Sequence, residues 1–232
     1  MPRKENVREM FDHIAPTYDK LNHVLSMNVD KLWRRHALKE IVDGSAQRIL
    51  DVACGTGDST ISIAQAAGEG STVTGVDISE GMMALVEGKA AKAGVADRIR
   101  LQVADGEALP YEDGAFDRVT CAFGIRNFEN REKGLAEFFR VLRPGGKLVI
   151  LELSVPQKKG LRDLYNIYLG SILPLIGGWV SGDKAAYKYL AASVNAFPAP
   201  DRFCVTIETA GFTSVSYRTL SLGLCRMYVG HK

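Results

Sequence analysis

The stretch RILDVACGTGDSTISIAQ, residues 48–65, constrains the fold of this chain more than any other. A short apolar run leads into a glycine turn, and a helical pattern follows it directly. Residues 72–94, TVTGVDISEGMMALVEGKAAKAG, repeat the same order. The strand runs are continuously apolar rather than alternating, which is typical of a parallel sheet covered by helices on both faces. We therefore predict an α/β domain of the doubly wound kind.

The rest of the chain continues this pattern and then departs from it. Two further strands are predicted in IRLQVADGEALP (99–110) and FDRVTCAFGIRN (116–127), each ending in a polar loop. REKGLAEFFRVLRPGG (131–146) is predicted as a helix closed by Pro144 and two glycines, and KLVILELS (147–154) as another strand. After Pro200 come a helix over 201–210 and two strand-like runs, TSVSYRTL and LCRMYVG. These runs are close enough in sequence to form an antiparallel end of the sheet.

Two segments, 1–44 and 155–199, lie outside the alternating pattern. Ahead of the first strand, apolar spacing predicts a short amphipathic helix over 5–14 and a second helix from about 30 to 42. Pro16 is expected to end the first helix, because a residue before proline disfavours the α conformation. We interpret the chain as one domain with four parts: a helical cover (1–44), a core (45–154), a lid (155–199) and a C-terminal part (200–232).

Composition excludes several classes of protein. A net charge of +2 argues against a nucleic-acid binder. The four cysteines include no CxxC pair and the histidines lack metal-ligand spacing, so we expect a reducing compartment and no metal. The opening MPRKENVREM has no signal-peptide pattern, and the longest uncharged apolar run, 167–180, is too short to span a bilayer. A cytosolic protein with at most peripheral membrane contact is expected.

The glycine turn favours one kind of ligand over another. Gly55 and Gly57 allow close approach to the backbone at a helix N-terminus. A dinucleotide fingerprint would place a third glycine at position 60, which is Thr60 here. Asp51 instead ends the strand with a carboxylate, which suits a ligand that carries an ammonium group rather than two phosphates.

Acidic residues end the next two predicted strands. Asp77 lies where a carboxylate binds ribose hydroxyls. Asp105 can accept a hydrogen bond from an adenine amino group, with Gly106 giving access. This series predicts S-adenosylmethionine (AdoMet) as the cofactor. The missing third glycine argues against the alternative of a nicotinamide-dependent reductase. The sequence argues less strongly against a cofactor-binding protein without catalysis.

Three stretches resemble the menaquinone/ubiquinone-biosynthesis C-methyltransferase family: MFDHIAPTYDKLNHVLSMNVDKLWRR (10–35), FGIRN (123–127) and RVLRPGGKLVILELSVP (140–156). The tail DKAAYKYLAASVNAFP also fits. The resemblance implies a class I AdoMet-dependent methyltransferase fold, Rossmann-like, with seven strands of which the last is antiparallel. It implies methylation of a ring carbon of a prenylated quinol. The expected substrate is demethylmenaquinol; the alternatives are the 2-polyprenyl-6-methoxy-1,4-benzoquinol precursor of ubiquinone or another small molecule.

The resemblance and the strand ends together give the expected cofactor site. Family positions carry over to Thr56, Asp77, Asp105, Gly106 and Ala122, the last of which is often Ser in the family and here keeps only a backbone contact. The full expected set is Asp51, Gly55, Thr56, Gly57, Asp77, Ile78, Asp105, Gly106 and Ala122.

Catalysis is assigned to polar residues near this site. Arg126 is expected to stabilise a phenolate oxygen or hold a water that takes its proton, with Asn127 orienting substrate or water. A structural ion pair is the alternative role for Arg126. Tyr18 could hydrogen-bond a quinol oxygen or merely pack on the core, and His13 is a weaker candidate base.

The substrate itself is assigned to the cover and the lid. Asn22, Tyr165 and Trp179 are the expected substrate-binding residues. The apolar side chains of the lid could hold a prenyl tail or face a membrane, or could form a core helix pair. A homodimer is a further expectation.

Overall fold

The computed structural model describes residues 3–26, 28–172 and 184–232, with all side chains in these ranges except those of residues 20–25, 172, 184 and 187. The helices are α1 (Lys4–Leu25), α2 (Val29–Ile41), α3 (Asp58–Ala66), α4 (Glu80–Lys92), α5 (Arg131–Val141), α6 (Lys159–Ile167), α7 (Lys184–Asn195) and α8 (Pro200–Thr209). The strands are β1 (Arg48–Val52), β2 (Thr72–Asp77), β3 (Ile99–Val103), β4 (Phe116–Ala122), β5 (Leu142–Leu153), β6 (Thr213–Leu220) and β7 (Cys225–His231).

One sheet contains these seven strands in the order β3-β2-β1-β4-β5-β7-β6. β1 to β5 pair in parallel, while β7 pairs antiparallel with both β5 and β6. The predicted fold class is confirmed, including the antiparallel last strand. The division of the chain into cover, core, lid and C-terminal part stays a prediction.

Apolar residues bury both faces of the sheet, as the continuous strand runs indicated. On one face Val119, Leu148 and Ile150 pack with Phe138 of α5 and Phe203 of α8. The opposite face is packed by residues from α2, α3 and α4, among them Trp33, Ile63 and Val86. Because helices cover both faces, ligands have access at the edge formed by the strand ends.

The prediction that Pro16 ends the first helix is wrong, because α1 continues through Pro16 to Leu25. Proline in a helix interior removes a hydrogen bond and costs about 3 kcal/mol. Polar contacts hold the helix on both sides of it: Asp12 accepts from the Ser79 hydroxyl at 2.6 Å, and Asp19 accepts from Lys89 at 2.7 Å. These tertiary contacts offset the unfavourable free energy of a proline in the helix interior.

No helix within 3–26, 28–172 or 184–232 has the length and apolar character that a membrane crossing requires.

Candidate active site

A cleft opens at the carboxyl edge of the sheet, above the ends of β1, β2, β3 and β4, with α1 across it. It holds about 890 Å³ of non-protein space, open solvent at its mouth included. Eight of the nine expected cofactor residues line the cleft: Asp51, Gly55, Thr56, Asp77, Ile78, Asp105, Gly106 and Ala122.

The ninth, Gly57, is not among the lining residues. Its φ of +83° favours glycine, and a Cβ at this position would lie 2.6 Å from Cγ1 of Val86. Gly57 therefore shapes the turn and lets it pack against α4. Its assignment as a direct cofactor contact stays a prediction.

Asp51 offers an unsatisfied acceptor inside the cleft. The side chain is fully buried, and Oδ2 accepts a hydrogen bond from the Thr60 hydroxyl at 2.6 Å. Oδ1 has no hydrogen-bond partner among the described residues. Burial raises the pKa of Asp51 to about 6, although the Thr60 bond and Arg34 lower it. A ligand ammonium group would satisfy Oδ1 and favour the ionised form.

The backbone fixes the Asp77 carboxylate. The Ser79 N–H donates to Oδ1 at 2.9 Å and the Gly55 N–H donates to Oδ2 at 2.8 Å. Burial raises the pKa of Asp77, and these two bonds oppose that shift. The carboxylate thus links the β1 turn to the end of β2, in the position expected for ribose hydroxyls.

Asp105 and Gly106 form the third strand-end position. Oδ2 of Asp105 accepts from Lys4 Nζ at 2.7 Å, and Oδ1 accepts from the Glu107 N–H at 2.9 Å. At Gly106 a Cβ would lie 2.6 Å from the Phe128 ring, so the chain packs closely here.

Helix α1 contributes more to the site than the sequence indicated. Val7, Phe11 and Tyr18 share one helical face and line the cleft, and the rings of Phe11 and Tyr18 meet edge to face at 5.9 Å.

Polar residues of α1 contact the loops that follow three strands. Lys4 donates to Asp105 after β3, Asp12 accepts from Ser79 after β2, and Asp19 accepts from Thr56 after β1. Their spacing of eight and seven residues is a helical signal that sequence reasoning missed.

Of the expected catalytic residues, Arg126 and Asn127 lie in the turn after β4, and Tyr18 lies on α1. Tyr18 and Asn127 line the cleft, whereas Arg126 does not. Arg126 is buried and forms an ion pair with Glu152, whose Oε1 is 2.8 Å from Nη1. Burial is the largest single effect and lowers the pKa of Arg126, but Glu152 together with Tyr18 and Tyr189 raises it overall. The structural ion pair weighed as an alternative is therefore present, and a role in catalysis stays a prediction.

Buried arginines accumulate around this ion pair. Arg126, Arg131 and Arg226 are each more than nine-tenths buried, and each has an Nε atom without a partner in the described part of the chain. Arg226 lies opposite Glu152 in the β5–β7 register, and Arg131 donates to the backbone oxygen of Arg126 at 3.4 Å. The guanidinium groups of Arg126 and Arg131 are thus both attracted by the single Glu152 carboxylate, which favours an anionic ligand or a ligand with developing negative charge.

The expected substrate residues are less clearly placed. Tyr165 of α6 is stacked with Tyr168 at 6.4 Å, and burial raises its pKa, but it does not line the cleft. The Asn22 side chain and Trp179 lie outside the described residues. His13 is exposed on α1 and does not line the cleft.

The residues present fit AdoMet. Asp51 offers an unsatisfied acceptor for its ammonium group, Asp77 offers fixed oxygens for its ribose, and Asp105 with Gly106 offers an acceptor beside a narrow slot for its adenine. This site, on a seven-stranded sheet with an antiparallel last strand, defines a class I AdoMet-dependent methyltransferase. The model of the ubiE/COQ5 methyltransferase family matches residues 2–232, and the chain belongs to that family.

Curated relatives match over almost the whole chain. A protein of Geotalea daltonii named ubiquinone/menaquinone biosynthesis C-methyltransferase UbiE is 46% identical and covers 98% of this chain and 97% of its own. The demethylmenaquinone methyltransferase of Thermus thermophilus (strain ATCC BAA-163) is 44% identical and covers 96% of this chain and all of its own. This assignment replaces the reductase and non-catalytic alternatives.

Solved structures support the fold alone. The [4+2]-cyclase SpnF superimposes with a TM-score of 0.71 at 20% identity, covering 96% of this chain and 78% of its own. An AdoMet-dependent methyltransferase from Aquifex aeolicus superimposes with a TM-score of 0.58 at 19% identity, covering 85% and 88%.

Proposed function

We propose that this methyltransferase methylates a ring carbon of a prenylated quinol, converting demethylmenaquinol to menaquinol. The observation that carries the proposal is the junction at Arg126 and Asn127. There the AdoMet cleft adjoins a buried cluster with excess positive charge. The relatives named for demethylmenaquinone support this substrate. The UbiE relatives, named for both quinones, keep the benzoquinol precursor of ubiquinone as a second candidate.

The chemistry explains why buried guanidinium groups are useful here. A phenolic hydroxyl has a pKa near 10, so its oxygen needs stabilisation to carry negative charge at neutral pH. When bound, AdoMet supplies an electrophilic methyl group. Arg126 stabilises charge on the ring oxygen, which directs electron density to the neighbouring ring carbon. The α1 helix and the strand ends hold the carbon near the methyl group and exclude water. The quinol hydroxyl gives its proton to water as charge develops on its oxygen. After transfer the ring carbon loses its proton to water, and the ring oxygen takes a proton back.

A methyl-transfer assay with both quinols, under reducing conditions and with mass-spectrometric detection of product, tests the function. We expect product from demethylmenaquinol. No product from either quinol would contradict the proposal and point to another small-molecule substrate.

Arg126 can be tested separately from the fold. Arg126→Ala is expected to abolish turnover while AdoMet binding persists. Because this change leaves Glu152 buried without its ion-pair partner, the double variant Arg126→Gln/Glu152→Gln is used to remove both charges together. Exposed Arg143, which pairs with Asp117, provides the matched control Arg143→Gln with unchanged turnover. Normal turnover in a folded Arg126 variant would remove this residue from the mechanism.

We also propose peripheral contact with an anionic membrane surface, and a cytosolic location otherwise. Leu164 and Ile167 of α6 are 64% and 57% exposed, and they lie beside the exposed basic residues Lys158, Lys159 and Arg162. Exposed apolar and basic side chains at the start of and along this short helix, which also carries the exposed Asp163, suit a lipid interface, where a hydrophobic quinol is dissolved. Homodimer formation stays a prediction.

Vesicle flotation with and without anionic lipid measures this contact. Leu164→Ser/Ile167→Ser is expected to reduce binding, whereas Val205→Ser, which changes an exposed apolar residue of α8, is expected to leave it unchanged. Equal flotation of all three proteins would exclude α6 as the contact.

A further inference from the structure

Helix α7 places a tyrosine hydroxyl against the catalytic turn. Tyr189 Oη donates to Oδ1 of Asn127 at 2.9 Å. Asn127 itself belongs to a short 3₁₀ turn, Ile125–Asn127, in which its N–H donates to the Gly124 carbonyl at 3.0 Å. Both the backbone and the side-chain oxygen of Asn127 are therefore fixed.

This hydrogen bond decides which polar group Asn127 presents. A side-chain amide has one acceptor and one donor group, and rotation about its last bond exchanges them. With Oδ1 held by Tyr189, the Nδ2 group is the remaining polar group of a residue that lines the cleft. Nδ2 makes no hydrogen bond to any residue that the structure describes. Asn127 is thus held as a donor.

Tyr189 carries the proton that it donates to Asn127 in this pair. The tyrosine is partly buried, and burial raises the pKa of its hydroxyl, although Arg126 opposes this shift. The hydroxyl consequently stays protonated at neutral pH. The orientation of the amide follows from the observed hydrogen bond, in which the Tyr189 hydroxyl donates to Oδ1 of Asn127.

We propose that Tyr189 is a positioning residue, whose hydroxyl orients the Asn127 amide so that Nδ2 donates to the reacting ring oxygen of the quinol. The inference rests on the proposed function, because it assigns the ligand of Nδ2 from the quinol chemistry. A donor strengthens its hydrogen bond as negative charge develops on that oxygen, so the orientation favours the transition state over the neutral quinol. A freely rotating amide would present its acceptor oxygen part of the time.

Tyr189→Phe removes the hydroxyl and keeps the ring. We expect kcat to fall about fivefold, as for loss of one neutral hydrogen bond, with unchanged KM and Kd for AdoMet. Tyr111→Phe is the matched control, since the Tyr111 hydroxyl donates to Gln102 at 2.8 Å away from the cleft. This control should keep the wild-type kcat.

A double-mutant cycle distinguishes positioning from an independent role. In the Asn127→Ala background, Tyr189→Phe should have no further effect on kcat. Multiplying effects, or a loss in Tyr189→Phe that follows a loss of thermal stability, would overturn the proposal. Asn127→Asp gives a second test that does not change Tyr189. It keeps an acceptor for the tyrosine but lacks the donor, so kcat should fall by more than in Tyr189→Phe.

The same assays distinguish a failure of the proposed function from a failure of the roles proposed for Tyr189 and Asn127. If the wild-type protein methylates neither quinol, the proposed function fails before any variant is compared. If wild type is active and Asn127→Asp keeps the wild-type kcat, the donor role fails and the function stands.

Discussion

Replacing Asp51 by Asn is expected to stabilise the ligand-free protein at neutral pH while weakening its binding of AdoMet. The Asp51 carboxyl is fully buried, with one oxygen bonded to Thr60 and the other without a described partner. In the folded state without ligand, its charge is poorly stabilised. Asn keeps an acceptor for the Thr60 hydroxyl and carries no charge.

The magnitude follows from the pKa of Asp51, which burial raises from 3.8 to about 6. The folded state binds the proton more tightly than the unfolded chain, so this group's contribution to stability is fully present below pH 3.8. It is lost as the pH rises through about 6. A separation of about two pKa units, at 1.36 kcal/mol each, corresponds to about 3 kcal/mol at neutral pH, of which roughly half is already lost at pH 5.

Urea unfolding of both ligand-free proteins at pH 5 and pH 8 measures the pH-dependent contribution of Asp51 to the free energy of unfolding. The difference in free energy of unfolding between Asp51→Asn and wild type should grow by about 1.4 kcal/mol between these pH values. A fixed cost of the new amide shifts both values equally and does not enter the comparison. The same difference at both pH values would refute the reasoning.

Calorimetric titration measures the other half of the prediction. Loss of a charge-assisted hydrogen bond to the ligand ammonium should raise the Kd for AdoMet by about 10- to 100-fold. Asp113→Asn is the control, because Asp113 is exposed and pairs with Arg140 away from the cleft. Unchanged affinity in Asp51→Asn would show that the ammonium group binds elsewhere.

Three further predictions concern the frame of the site. Gly57→Ala combines a φ of +83° with a Cβ 2.6 Å from Val86, and should cost at least about 2 kcal/mol of stability by urea unfolding. Glu152→Gln leaves the buried Arg126 charge without its carboxylate and should lower the free energy of unfolding by about 3 kcal/mol, measured by thermal and urea unfolding. Asp12→Ala removes the acceptor of the Gly81 N–H at the start of α4; hydrogen exchange in α1 should then accelerate while exchange in the central strands stays unchanged.

The sheet and the cofactor positions could be predicted because their signals are local. The central strands are mainly apolar runs, and the acids Asp51, Asp77 and Asp105 lie at or just after the ends of β1, β2 and β3. Parallel strands in register bring their carboxyl ends to one edge, so three positions far apart in sequence meet in one cleft.

The parts that could not be predicted depend on distant partners. Asp19 meets Thr56, and Lys4 meets Asp105, across gaps of 37 and 101 residues. No local pattern reports such contacts. A prediction from Pro16 alone therefore ends α1 early, because it does not include the contacts that hold the helix on both sides of the proline. Glu152 did carry a signal that was not used, since a single carboxylate inside an apolar strand run needs a buried partner.

The hydrogen bonds that Asp105 and Asp51 already make in the protein also imply that the two ends of AdoMet contribute unequally to its affinity. At the adenine end, Asp105 already accepts from Lys4, so an adenine amino group must displace or share that donor. Exchanging one donor for another gains little net free energy. At the amino-acid end, Asp51 Oδ1 has no partner among the described residues, so a ligand ammonium there replaces a buried unsatisfied charge with a charge-assisted bond. The larger gain should therefore come from the amino-acid end, because the folded protein without ligand leaves that end unsatisfied.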